Sequence, residues 1–220
     1  MFRKQMLQKK ARPKVCMLLK VVGFDPSLRN WGIAQGTYDT KTNRLQVHNL
    51  AVTNPVLPTG KQVRQNSSDL ESALQLYAAA MVAAQGAQAI FVEVPVGSQS
   101  ARAMASYGIC VGVLGGLRAS GIPFFEVTPT EVKMAGPGIK TATKEQMIEW
   151  ASSAHPEAPW PLYKSNGETK VSAAKAEHMA DAVCAIYAGL KSNPFQQLLP
   201  FLAPELTPKQ SIQMKEILKC

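Results

Sequence analysis

The sequence predicts an α/β domain built on a mixed five-stranded sheet, three antiparallel strands then parallel strands, with helices on both faces. Three observations carry this. Three β-rich apolar segments follow one another within residues 15–52, separated by short turns. Strand and helix patterns then alternate. The run 89–94 is almost wholly apolar, as in a strand covered on both faces.

Residues 15–24 form the first predicted strand, stopped by Asp25-Pro26-Ser27. Residues 31–38 and 44–52 form the second and third, with a turn at 40–43. A polar loop with Pro and Gly covers 54–65. The helix after it is predicted to be capped at Ser67 or Ser68, with a buried stripe of Leu70, Leu74, Tyr77 and Met81, and to end at Gly86. Residues 89–94 are the fourth strand and 100–119 a long helix ended by Gly121. Residues 123–127 are the fifth strand. Thr128, Pro129 and Glu131 have the spacing of a capping box with proline in the first turn. After Gly136-Pro137-Gly138 a helix is expected over 143–153, a loop over 154–170, and a last main helix over 171–190. There Met179, Val183, Ile186 and Leu190 form the bulky stripe, and an arc of Ala174, Ala182 and Ala185 lets the helix approach the sheet closely.

The chain has 220 residues, 46% of them apolar. That suits one substantial core. It divides into a basic arm (1–14), a folded domain (15–192) and a proline-punctuated appendage (193–220) with a short helix capped by Thr207. Charged residues make up 18%, which argues against a disordered chain. No apolar run reaches the ~18 residues that span a bilayer, so no membrane partner is expected.

The net charge is +9, from 24 basic and 15 acidic residues. Seven of the basic residues fall in the first 20 positions, which hold no acid, and the remainder is close to neutral. Such an arm suits an acidic partner such as nucleic acid. A solubilising disordered tail and an organellar presequence are the alternatives. Four dispersed cysteines with no CxxC fit a reducing compartment inside a cell and argue against a cysteine zinc site.

Two acids stand at strand ends: Asp25 after the first, Glu93 within Ile90-Phe91-Val92-Glu93-Val94. A carboxylate in an apolar strand is costly unless it is paired or bound to a cation. Each has a structural alternative, a turn at Asp25-Pro26 and an ion pair for Glu93. On the last helix His178 and Asp181 are three apart and share a face. Acids gathered from separate strands and a closing helix suit hard divalent ions and phosphodiester hydrolysis.

The run Val22-Gly23-Phe24-Asp25-Pro26-Ser27-Leu28-Arg29-Asn30-Trp31-Gly32 resembles the opening motif of the RuvC family of Holliday junction resolvases. Phe91-Val92-Glu93-Val94-Pro95 resembles its second motif and His178-Met179-Ala180-Asp181-Ala182 its last. Val127-Thr128-Pro129-Thr130-Glu131-Val132-Lys133, with Gly138 and Lys144, resembles the segment between. Order and separations agree over residues 19–192. Gly97-Ser98-Gln99-Ser100 is similar to the phage-type branch.

The resemblance implies a ribonuclease-H-like fold, a homodimer, and cutting of four-way and other branched DNA with Mg2+, two ions per site, Mn2+ substituting. It implies Asp25, Glu93 and Asp181 as metal ligands and catalytic groups. His178 falls where the family has Asp or His, as a further ligand or water-ordering imidazole. Lys133 and Lys144 match cations near the scissile phosphate, Lys144 with a catalytic part. Lys140 and Arg29 join them as DNA contacts, an ordinary exposed lysine being the alternative for Lys140. The bacterial members carry an aromatic wedge after the second acid; Pro95-Val96-Gly97-Ser98 has none, which favours a broader structure-selective endonuclease. A catalytically idle branch-binding protein and a nuclease for RNA or RNA–DNA hybrids are the alternative functions. Bacterial or phage-infected cytoplasm is the expected setting, an organellar matrix the other.

Gly136-Pro137-Gly138-Ile139-Lys140-Thr141 lacks the spacing of a phosphate loop, and the three histidines lack zinc spacing. Gly108, Gly112 and Gly116 mark a close-approach helix face, expected against the sheet, with a dimer seam as the alternative.

Overall fold

In the computed structural model, residues 17–60, 62–165 and 167–202 are described. Strands β1 (Leu18–Asp25), β2 (Trp31–Asp39) and β3 (Arg44–Thr53) form an antiparallel meander. Helix α1 (Gln65–Ala84) leads to β4 (Ala89–Glu93), which pairs parallel with β1; α2 (Ala101–Ala119) leads to β5 (Phe125–Val127), parallel with β4. The sheet order is β3-β2-β1-β4-β5. Helices α3 (Pro129–Ala135) and α4 (Lys144–Ala154), the hairpin β6 (Leu162–Ser165) and β7 (Glu168–Val171), and helices α5 (Ala173–Lys191) and α6 (Asn193–Leu202) complete it. The mixed five-stranded architecture is the one the sequence predicts. No helix among the described residues is long and apolar enough to cross a membrane.

Side-chain alternation divides the core. Leu19, Val21 and Phe91 face α5, whereas Val22, Phe24, Ile90 and Val92 face α1 and α2. By the same alternation Asp25 and Glu93 fall on the α5 face, and parallel pairing of Gly23 with Phe91 and Phe24 with Val92 brings the two acids onto adjacent strand ends. The predicted stripe of α5 is buried, as are Ala182 and Ala185, while Ala174 is exposed. Glycines on the facing elements complete the close approach. A methyl on Gly23 would sit 2.0 Å from the Ala182 carbonyl oxygen, and one on Gly32 2.1 Å from that of His178.

The packing of α1 corrects the predicted stripe. Leu70 and Leu74 are 73% and 61% exposed, and the buried face is Ser68, Asp69, Ser72, Leu76, Ala80 and Ala83. Small side chains let α1 lie close to its neighbours there; Leu76 is fully buried among them, and of the predicted stripe only Tyr77 and Met81 pack, partly buried, against the core. Its first turn starts earlier, after Arg64, with no side-chain cap from Ser67 or Ser68. Gly108 and Gly112 of α2 have open space before them, so that face points away from the sheet, and Gly116 meets Tyr77.

The predicted loop 154–170 contains the β6–β7 hairpin, and α5 begins two residues late. The Thr128–Glu131 capping box forms, with Glu131 accepting from Thr128 N at 2.7 Å and donating its own N–H to Thr128 Oγ1 at 3.2 Å. The segment set apart from residue 193 opens with α6, whose Phe195 is fully buried with its ring 5.2 Å from Phe91 and 5.5 Å from Phe125. The arm (1–14) and the Thr207-capped helix lie outside the described residues.

Candidate active site

Asp25 is the last residue of β1 and Glu93 the last of β4, the first held by pairing with β2 and the second by pairing with β5. Parallel strands that end side by side lie ~4.8 Å apart. Helix α5 crosses this edge and contributes His178 and Asp181. The His178 Nδ1–H donates to Asp25 Oδ2 at 2.6 Å. A carboxylate can only accept, so the proton resides on Nδ1 and Nε2 keeps a lone pair when the ring is neutral.

The charges respond to this convergence. Glu93 is pushed up to about 8, first by burial and then by Asp25 and Asp181, with Lys133 pulling it down. Asp181 is pushed up to about 7 by burial and by Asp25, while His178 and Lys133 oppose the rise. His178 is raised by its bond to Asp25, against burial. Repulsion among Asp25, Glu93 and Asp181 places all three in one electrostatic neighbourhood. Among the described residues no three His, Cys, Asp or Glu side chains stand close enough together to hold a metal ion. The acids are thus neighbours without a closed ligand shell.

The cations divide. Lys133, on α3, is partly buried and acts on both Glu93 and Asp181. Lys144 opens α4 behind a Thr143–Gln146 capping box and pairs with Glu177 at 2.5 Å. That pair raises Lys144, and Asp181 adds to it. Lys140 is exposed on the loop between α3 and α4. Arg29 turns toward α1, donating to Ser72 Oγ at 3.0 Å and standing 3.5 Å from Asp69.

Sequence reading missed Glu177, whose proximity to Lys144 depends on how α4 and α5 pack. It also missed Asp69, a buried carboxylate that binds Arg102 through two 2.7 Å bonds. One signal was available for Glu177: it precedes His178 on the helix that carries the site.

No protein-family model matches this chain, and no curated protein matches it. Solved structures do. A structure of RuvC from Thermus thermophilus in complex with Holliday junction substrate is 18% identical, with 77% of this chain and 92% of that one covered at a TM-score of 0.53. A second Thermus thermophilus RuvC structure is 20% identical over the same shares, with a TM-score of 0.54. The fold is RuvC-like. In open α/β sheets, sites form at the carboxyl ends of neighbouring parallel strands. That is the edge where Asp25 and Glu93 lie under α5.

Proposed function

We propose that the protein is a structure-selective endonuclease that resolves Holliday junctions and other branched DNA by metal-dependent phosphodiester hydrolysis. The observation that carries this is the shared burial of Glu93 and Asp181 beside Asp25, with repulsion that raises both acids. Such a site is costly by itself and favourable around a hard cation, so the donors suit Mg2+ in type, with Mn2+ as substitute, once they close to ligand distance. Asp25, Glu93 and Asp181 would hold it, with His178 offering Nε2 to the ion or to the attacking water. When bound, two such ions supply an activated water and stabilise the leaving oxygen.

The chain's own residues do the remaining work. Asp25 fixes the tautomer of His178 through Nδ1. Lys133, beside the acids, offsets charge developing on a phosphate. Lys144, held by Glu177 on the rim, and exposed Lys140 meet the backbone of the DNA. The basic arm adds sequence-independent phosphate attraction. The junction-bound Thermus thermophilus RuvC supports branched DNA as substrate. The open face of α2, with Met104, Gly108, Val111 and Gly112 exposed, supports a homodimer seam. Two sites in a dimer suit paired cuts. Gly97-Ser98-Gln99-Ser100 supports the phage-type branch.

A catalytically idle branch-binding protein is the second reading. It is favoured by the missing ligand shell and by the bond that holds Asp25 to His178. Labelled four-way junctions, flaps, Y-forks and RNA–DNA hybrids, each with EDTA, Mg2+ or Mn2+, separate the readings. Paired cuts in the junction with a divalent ion are expected. Tight junction binding with no cut under any metal identifies the idle binder, and cleavage confined to the hybrid identifies the third activity.

A further inference from the structure

Lys133 and Lys144 lie on the α5 side of the sheet. A separate cationic cluster lies on the α1–α2 side. Asp69, in the second turn of α1, has a side chain only 9% exposed. Its Oδ2 accepts from Arg102 Nη1 and its Oδ1 from Arg102 Nη2, both at 2.7 Å. Gln65 donates to Oδ1 at 3.0 Å, and Arg29 Nη2 stands 3.5 Å away. Arg29 is itself fixed by donating Nη1 to Ser72 Oγ. The hydrogen bond from Arg102 holds Asp69 below the usual carboxylate range, against burial.

One buried carboxylate thus faces two guanidinium groups, and the cluster keeps a net positive charge. Each guanidinium has five N–H donors, and Asp69 takes two of those on Arg102. The side chains of Arg102 and Arg29 are 48% and 38% exposed, so donors remain turned to solvent. Their positions in the chain matter as much. Arg29 is in the turn that leaves β1 after Asp25, and Arg102 is in the first turn of α2, reached by the loop that leaves β4 after Glu93.

We propose that Arg29 and Arg102, braced by Asp69, form a phosphate-binding site for a nucleic-acid backbone on the α1–α2 side of the acidic site, with Asp69 a positioning residue. The inference rests on reading Asp25, Glu93 and Asp181 as a nuclease site, and deepens it by naming a second backbone contact. A guanidinium fork matches phosphate oxygens in pairs. Bracing in advance removes part of the entropy that a free arginine loses on binding. With Lys133 and Lys144 on the opposite side, a strand crossing the end of the sheet would meet cations on both sides of the acids.

The test is binding of labelled four-way junction and linear duplex over a salt series, in EDTA so that nothing is cut. Each phosphate contact contributes about 0.9 to the slope of log affinity against log salt on duplex DNA. Arg29→Gln and Arg102→Gln should each weaken binding and lower that slope by about this amount. Asp69→Asn keeps both positive charges, so it should weaken binding with the slope nearly retained. Circular dichroism checks folding. Where Arg102→Gln does not fold, the pair Asp69→Asn with Arg102→Gln, which leaves neutral amides facing each other, takes its place. An unchanged slope in folded Arg102→Gln, with wild-type protein that binds DNA in EDTA and cuts it when Mg2+ is added, overturns the phosphate site alone. Wild-type protein that binds neither DNA overturns the nuclease reading and the phosphate site together.

Discussion

His178 Nδ1 stands 2.6 Å from Asp25 Oδ2, so one hydrogen bond joins α5 to the end of β1 across 153 positions of chain. The bond orients the imidazole and occupies one oxygen of the acid closest to it. Under the proposed metal-dependent reaction, affinity for a cation becomes a matter of protons. Glu93 at about 8, Asp181 at about 7 and a raised His178 all retain protons that a divalent ion must displace.

Cleavage should therefore need less Mg2+ as the pH rises from about 6 to about 9. Lys133→Met should move that profile toward higher pH, because Lys133 pulls both Glu93 and Asp181 down. His178→Ala should lower cutting by roughly 10- to 100-fold, the usual range for loss of a group that orients a metal site. Mg2+ titrations of junction cleavage at several pH values check all three. A Mg2+ requirement independent of pH would contradict the first.

Stability without metal should run the opposite way. The folded pKa values of Glu93 and Asp181 lie above their ordinary values of 4.5 and 3.8. Between those limits the folded protein binds protons that the unfolded chain has released, so stability is full at the acid end and falls as pH rises toward about 8. His178, also raised, acts in the same direction. Asp69, lowered, contributes in the opposite sense, but only as pH falls below its ordinary 3.8. In EDTA, Tm should drop on going from about pH 5.5 to about pH 8. Mg2+ should restore more of it at the higher pH. Thermal melts followed by circular dichroism decide, and a Tm that rises through this window would contradict the sign.

The strands and the Thr128–Glu131 cap were legible in the sequence because each leaves a local mark, a β-rich run or a spacing of three, and Asp25, Glu93, His178 and Asp181 stood out as candidates by an acid in an apolar strand and a shared helix face. The packed face of α1 was legible only at Tyr77 and Met81, since Ser68, Ser72 and Ala80 are buried while Leu70 and Leu74 face water. Size and hydrophobicity point to the wrong side when close approach selects for small residues. Lys144–Glu177 and Asp69–Arg102 were illegible for another reason. Both pairs join residues 33 apart in the chain, and only the packing of two helices brings each together.

Gly23→Ala tests that close approach. The added methyl would lie 2.0 Å from the Ala182 carbonyl oxygen and 2.8 Å from Ile186 Cγ1, so α5 must move off the sheet. Overpacking of this kind costs about 1–3 kcal/mol or more. Since α5 carries His178 and Asp181, cutting should fall in variant protein that remains folded. Urea unfolding and cleavage of the four-way junction measure the two effects. An unchanged midpoint would mean that α5 does not rest on β1 at Gly23.

Ending the chain at residue 192 gives a separate test, away from the acids. Phe195 is fully buried, its ring edge-on to both Phe91 and Phe125. Phe91 in turn lies two residues before Glu93 on β4 and against Gly189 of α5, where an added methyl would come within 1.9 Å of it. Phe195 therefore closes the packing that aligns β4 with α5, and removing it leaves a void beside the strand that presents Glu93. Phe195→Ala should cost about 3–5 kcal/mol. Truncation after residue 192 should cost at least as much, because it also removes Leu199 and Leu202 from the same cluster. Chemical unfolding checks both, with Phe201→Ala as the control, since Phe201 is 83% exposed. If truncation were as harmless as Phe201→Ala, residues 193–202 would be an appendage and not part of the folded core.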